Sequence, residues 1–128
     1  MKNTKLWIII SGICGFTGVA IGAFGAHGLR NILSPEMLEI YKTGVTYHLL
    51  HSVAILAITL SGRSKYLLSA LFFLIGILLF SFSLYFYAIT STIVFAMITP
   101  VGGVSFLVGW FLLIIIAIKE TRTEIDKR

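Results

Sequence analysis

Two histidines and a tyrosine lie within about one helical turn of a strongly apolar segment. Tyr47, His48 and His51 are in the sequence between Lys42 and Arg63, an interval that contains no charged residue. Imidazole changes its charge near neutral pH, so these side chains could transfer protons, bind a small polar molecule or hold a metal ion. Ionisable residues in membrane-spanning helices favour a functional role. The alternative, which stays open, is a neutral His51 that only hydrogen-bonds to a neighbouring helix.

The same residues do not complete a recognisable metal or catalytic motif. His48 and His51 have the spacing of a metal pair, but no Asp, Glu or Cys accompanies them on the helix and HExxH is absent. A haem between His27 and His51 is disfavoured, because His51 is expected about two turns deeper in the membrane. The only aspartate is Asp126, which cannot join a Ser-His-acid arrangement inside the bilayer. The sequence therefore predicts no catalytic residue, no metal and no cofactor, and a protein that is not an enzyme.

The composition indicates an integral membrane protein of one domain. Of the 128 residues, 58% are hydrophobic and 12% are charged, whereas soluble domains carry about 25% charged residues. The mean hydropathy is +1.01. The net charge of +5 does not indicate nucleic-acid binding, because the basic residues lie in short segments between apolar runs. The predicted partner is the lipid bilayer, and nucleic acid is excluded.

Four segments are long and apolar enough to span a bilayer, which takes about 20 residues. We predict an all-α membrane protein whose domain (1–118) is an antiparallel up-down bundle of helices at about 6–26, 35–61, 66–89 and 100–118, followed by a charged tail at 119–128. Ser34-Pro35 and Thr99-Pro100 have the N-cap and first-position signature of helix starts. Residues 93–98 are too short to span, so the sequence leaves open whether they lie at the interface, pack on the bundle or re-enter the membrane.

The distribution of Lys and Arg predicts the orientation of these helices. The N-terminus, the second connection and the tail carry eight of the ten basic residues, and the first and third connections carry the other two. Because cytoplasmic segments are enriched in Lys and Arg, both termini are predicted to lie in the cytoplasm.

Small residues recur on one face of three of the predicted helices. Spacings of three and four residues align Ser11, Gly15, Gly18, Gly22 and Gly25 in helix one, and weaker stripes include Gly76 in helix three and Gly102 and Gly109 in helix four. Such stripes let membrane helices approach closely. We interpret them as packing positions within the bundle. A seam between copies of the chain, contact with another membrane protein, or a conduit lined by backbone are the alternatives.

Several short motifs also point to a known family. They are GAFGAHG at 22–28, Tyr47 with His51, FSFSLY at 80–85, and TPVGG at 99–103 followed by Ser105-Phe106 and Gly109-Trp110. Together they resemble the YgdD/YwdK-like bacterial membrane proteins, a domain-of-unknown-function family with small eukaryotic transmembrane relatives. Phe82 departs from the family pattern, which often has Gly there. The resemblance covers all but the tail and implies a multi-pass protein of the bacterial cytoplasmic (inner) membrane with no assigned activity. It marks His27, Tyr47, His51, Tyr85, Thr99 and Trp110 as the polar or amphipathic motif positions.

The sequence thus favours a non-enzymatic module that packs with lipids, with partners or with copies of itself. The alternative is a small-molecule or proton pathway in the outer half of the bundle. The pathway would need one shared polar cluster, for which the candidates are His27, Tyr47, His48, His51 and Tyr85.

Overall fold

A computed structural model describes residues 2–126 of the chain. Within these residues the long helices are α1 (Lys2–His27), α2 (Pro35–Leu60), α3 (Ser64–Thr90) and α4 (Ile93–Asp126). Each of the four is long and apolar enough to cross a bilayer, which confirms the predicted all-α membrane fold. Short connections make successive helices antiparallel. We call the end that holds the start of α1, the α2–α3 turn and the end of α4 the inner end, and the opposite one the outer end.

The start of α2 follows the local signals in the sequence. Ser34 has an extended backbone, and its hydroxyl accepts a hydrogen bond from the Met37 amide across 3.2 Å. Pro35 occupies the first turn, where its missing N–H costs nothing. At the other end, Gly62 takes a positive φ of 68°, which reverses the chain into α3.

The fourth helix does not begin at Pro100, as the sequence predicted, but at Ile93. Ser91 adopts a left-handed conformation with φ of 56°, which ends α3 and lets a new helix start almost at once. Residues 93–98 are therefore the first turns of α4. Thr99 is not an N-cap, since its hydroxyl bonds back to the Phe95 carbonyl and to Ser83 on α3. The helix also continues through the predicted tail to Asp126, and the last two tail residues lie outside the described part of the chain.

A π-helical segment interrupts α3 at Ile77–Ser81. Gly102 of α4 crosses at this segment, and a Cβ on Gly102 would lie 2.6 Å from the carbonyl carbon of Leu79. The two backbones are therefore in direct contact, which only glycine permits. The neighbouring hydroxyl of Ser105 donates to the Phe72 carbonyl across 2.7 Å and ties the same two helices together.

The helices pack as a series in which each contacts mainly its sequence neighbours. α1 lies against α2, α2 against α3, and α3 against α4. The core of the inner half is built around Phe73, Ile55 and Ile77, all nearly inaccessible. The core of the outer half centres on Tyr41 and Tyr85. The two histidines of α2 lie between these cores.

Candidate functional site

His48 and His51 are the most deeply buried polar rings of the described residues, with 0% and 2% of their surface exposed. Both belong to the middle of α2, where the chain has no charged residue. The two side chains are offset by about 60° around the helix, and the helices packed on α2 give the two rings different neighbours. His48 faces α1 and α3, and His51 faces α4.

His48 connects α1 with α3. Its Nδ1 lies 3.0 Å from the hydroxyl of Tyr85, and its Nε2 lies 3.4 Å from Oγ1 of Thr17. The Thr17 hydroxyl already donates to the Ile13 carbonyl across 2.8 Å, so it must accept from Nε2–H. The Tyr85 hydroxyl has no other hydrogen-bond partner among the described residues, so it donates its proton to Nδ1, which must then be unprotonated. This assigns a neutral His48 with its proton on Nε2.

Two tyrosine side chains continue the contacts between α1, α2 and α3 from His48 toward the outer end. The hydroxyl of Tyr41 donates to the Ile21 carbonyl of α1 across 2.7 Å. Its ring lies 5.1 Å from the ring of Tyr85, centroid to centroid. Gly25 and Gly44 provide the space, because a Cβ on Gly25 would collide with Tyr41 and one on Gly44 with Tyr85. Polar bonds from two aromatic hydroxyls thus hold α1, α2 and α3 together.

His51 makes a second, separate set of contacts. Its Nδ1 donates to the Tyr47 carbonyl across 2.8 Å, since a carbonyl can only accept. Its Nε2 accepts from the indole N–H of Trp110 across 3.2 Å. Phe106 stacks on the imidazole with ring centroids 3.6 Å apart and an interplanar angle of 11°. The ring is therefore neutral, fixed in the Nδ1–H form, and has both nitrogens in use.

The structure does not bring the five predicted cluster residues together. His48 bonds to Tyr85, whereas His51 contacts Tyr47, whose side chain is 40% exposed. His27 is exposed at the end of α1, and its imidazole makes no hydrogen bond to another described residue. The packing around α2 is the reason, because α1 and α3 lie beside His48 whereas α4 lies beside His51. Their nitrogens do not converge as ligands of one metal ion would.

Different apolar grooves border the two histidines. One of about 280 Å³ lies between α1 and α3 and is lined by Cys14, Thr17 and His48 together with aliphatic side chains and Phe82. The other, of about 530 Å³, lies between α2 and α4 beside Tyr47, His51 and Trp110. The ring nitrogens of both histidines are already bonded, and apolar side chains make up most of each lining. Each groove therefore presents mainly hydrocarbon, which suits acyl chains.

The small residues of α1 divide between two environments. A Cβ on Gly18, Gly22 or Gly25 would come within 3.0 Å or less of a side chain of α2, so these glycines allow the two helices to pack closely. Ser11 is buried and bonds to its own helix. A Cβ on Gly15 would meet no atom within 4 Å. The predicted stripe therefore packs on α2 over its outer part and is open at Gly15.

The glycines of α3 and α4 face each other's aromatic rings. A Cβ on Gly76 would lie 2.9 Å from Cγ of Phe106, and a Cβ on Gly109 would lie 2.6 Å from Cδ1 of Phe73. The Gly76–Phe106 contact lies between those of Gly109 and Gly102, so these positions form a continuous seam along α3 and α4. The rings that fill it also flank His51.

Comparison with known sequences now places the chain in a family. A sequence profile described as "Protein of unknown function (DUF423)" matches residues 21–103. The chain belongs to the DUF423 family.

Relatives of this DUF423 chain match it over nearly their whole lengths. It is 38% identical to the UPF0382 membrane protein YwdK of Bacillus subtilis, over 90% of this chain and 98% of that protein. It is 46% identical to a UPF0382 membrane protein of Haemophilus influenzae, over 86% and 90% of the two chains. It is 37% identical to the inner membrane protein YgdD of Escherichia coli K12, over 97% and 98%. No solved structure matches the chain significantly.

These relatives confirm the resemblance deduced from the motifs. With its four apolar helices, this DUF423 chain is a multi-pass protein of the bacterial inner membrane. None of the names of these relatives specifies an activity, so the family assignment adds no substrate.

The inner end of this DUF423 protein holds a charged cluster that the sequence analysis did not single out. Glu120 of α4 accepts a hydrogen bond from the Tyr66 hydroxyl across 2.5 Å. It also forms ion pairs with Lys65 and with Arg63, whose Nη1 lies 3.4 Å away. The available signal was a basic turn at 62–65, together with an acidic residue just past the apolar part of α4.

Proposed function

We propose that this DUF423 protein is a non-enzymatic membrane module that acts through contacts of its lipid-facing surface, with a second copy of the chain as the partner of α1. The observation that carries the proposal is that both ring nitrogens of His48 and of His51 are bonded inside the bundle. The histidines then serve as connections between helices, in the manner of other interhelical hydrogen bonds in membranes.

A catalytic role would require different geometry at these rings. A general base needs a lone pair within reach of the substrate proton, and a general acid needs a proton directed at the substrate. The lone pair of His51 is occupied by Trp110, and its proton is directed to the Tyr47 carbonyl. Any reaction at His51 would first have to break one of these buried bonds. We therefore assign the histidines to stability.

The surface that we propose for self-association is the open face of α1. This helix packs mainly on α2, so much of its circumference faces lipid. Neither Gly12 nor Gly15 would bring a Cβ within 4 Å of another atom. The large side chain of Phe16 beside them is 77% exposed. Open glycines next to an exposed aromatic ring let a second helix approach closely.

The proposal is tested with two variants, one expected to affect self-association and the other expected to affect folding. We expect Gly15→Leu to keep the fold, because the position is open, but to lower self-association measured by analytical ultracentrifugation in detergent. Gly18→Leu is the matched comparison, because a Cβ there lies 2.7 Å from Leu49 and should lower stability. A chain that stays monomeric at all concentrations, or a Gly15→Leu variant that associates as well as wild type, would refute the role of α1. A reaction that depends on His51 would refute the non-enzymatic assignment.

A further inference from the structure

The inner end carries a groove that combines basic side chains with an apolar wall. It has a volume of about 370 Å³ and is lined by Lys65 from the α2–α3 turn and by Ile116, Lys119, Glu120 and Thr123 from α4. Two different elements thus direct an ammonium group to the same space. The groove lies at the inner end, separate from the buried histidines, and it includes no residue of α1.

Glu120 forms ion pairs with the basic side chains at this groove but does not neutralise all of their charge. Its carboxylate holds Lys65 and Arg63 from the turn and accepts the Tyr66 hydroxyl. Lys119 lies on the adjacent rim, so this part of the inner end holds three cations and one carboxylate. The named groups therefore retain a net positive charge of about two. This excess positive charge favours the binding of an anionic group in the groove.

The depth of the groove indicates where that anion comes from. Ile116 belongs to the apolar part of α4, and Lys119 is the first charged residue after it. The groove therefore spans the boundary between the hydrocarbon core and the polar layer, where phospholipid phosphates lie. Tyr66, an aromatic residue of the type found at this level, donates a hydrogen bond to Glu120 in the groove lining. A lipid could place its phosphate between the lysines and its glycerol and acyl carbons along Ile116.

We propose that this groove binds the phosphate of an anionic phospholipid, with Lys65 and Lys119 as the contacting cations. We expect the groove to prefer an anionic lipid to a zwitterionic one. A zwitterionic headgroup carries its own cation, which would lie beside the lysines and repel them. Basic residues near the inner leaflet each strengthen the attraction of anionic lipids by roughly fivefold.

The test uses the full chain in phosphatidylcholine nanodiscs that contain a small fraction of labelled phosphatidylglycerol. Retention of the label is measured for wild type and for Lys119→Gln, Lys65→Gln and Lys42→Gln. Lys42 is the matched control, because it is an exposed lysine of the outer half, in an ion pair with Glu39. We expect a loss of roughly fivefold for each of the first two variants and no change for the control.

Three results would overturn the assignment. The first is that labelled phosphatidylcholine, measured in the same way, is retained as well as labelled phosphatidylglycerol. The second is an equal loss of retention in all three variants. The third is displacement of the lipid by millimolar inorganic phosphate, which would assign the groove to free phosphate. Because none of these measurements involves α1, failure here leaves the self-association proposal standing, and the converse also holds.

Discussion

The indole N–H of Trp110 donates a hydrogen bond to Nε2 of His51 across 3.2 Å, from α4 to α2. Indole can only donate, so this bond requires an unprotonated Nε2. The relationship fixes the charge, the tautomer and the orientation of the His51 imidazole. It also joins two helices that are otherwise connected mainly through α3.

Removing this donor is expected to destabilise the bundle. In Trp110→Phe the aromatic ring stays, but the buried Nε2 of His51 loses its partner. We expect a loss of about 1 kcal/mol, in the range of hydrogen bonds between membrane helices. Reversible unfolding in mixed micelles with increasing dodecyl sulfate would measure it.

The control for this substitution is Trp7→Phe, which makes the same chemical change at a partly buried ring on α1. The indole of Trp7 takes part in no hydrogen bond among residues 2–126, so we expect a smaller effect. Equal losses in the two variants would show that ring size, and not the bond to His51, carries the stability.

The two histidines are expected to show opposite neutral tautomers. His48 must donate through Nε2 because the Thr17 hydroxyl is committed to the Ile13 carbonyl, and His51 must donate through Nδ1 because its partner is a carbonyl. Nitrogen NMR of the protein labelled at histidine, with His48→Gln and His51→Gln for assignment, would distinguish the two forms. Two identical tautomers, or an imidazolium signal from either ring at neutral pH, would contradict the hydrogen-bond network.

Local sequence signals predicted a helix end correctly where only residues within the same turn determine that end. Ser34 and Pro35 begin α2 because the cap and the missing amide act within one turn. The same signature at Thr99 and Pro100 gave a different outcome. There the Thr99 hydroxyl bonds to Phe95 and to Ser83 on α3, and the helix continues past proline. A rule that considers only neighbours in sequence cannot include the contact with α3.

The candidate site shows the same limit. The sequence identified His48, His51 and Tyr85 as notable, and the structure buries all three. Their grouping into one cluster depended on which helix lies beside each face of α2, which a single sequence does not contain. Thr17, the partner of His48, was not singled out because a threonine in an apolar helix is common. The π-helical segment of α3, where Gly102 of α4 lies against the backbone, likewise has no composition signal.

The orientation in the membrane is expected to follow the basic residues. In a Cys14→Ala background, Asn31→Cys at the outer end should react with a membrane-impermeant maleimide added to spheroplasts. Ser64→Cys at the inner end should react only after the membrane is opened, because the Lys- and Arg-rich end is retained in the cytoplasm. Both positions are exposed, so accessibility within the protein does not differ between them. The reverse labelling pattern would contradict the predicted topology.

The packing of α4 on the π-helical segment of α3 makes adjacent glycines respond in opposite ways to the same substitution. A Cβ on Gly102 would lie 2.6 Å from a backbone carbonyl carbon, and backbone cannot move aside as a side chain can. We expect Gly102→Ala to cost about 1–3 kcal/mol by forcing α3 and α4 apart. At Gly103 the nearest atoms are 3.7 Å away, on the Phe80 ring, which is ordinary contact. Gly103→Ala should therefore be neutral or slightly stabilising, because alanine favours helix over glycine by about 1 kcal/mol. Unfolding of both variants under one condition measures the difference, and similar stabilities would mean that α4 does not cross α3 at Gly102.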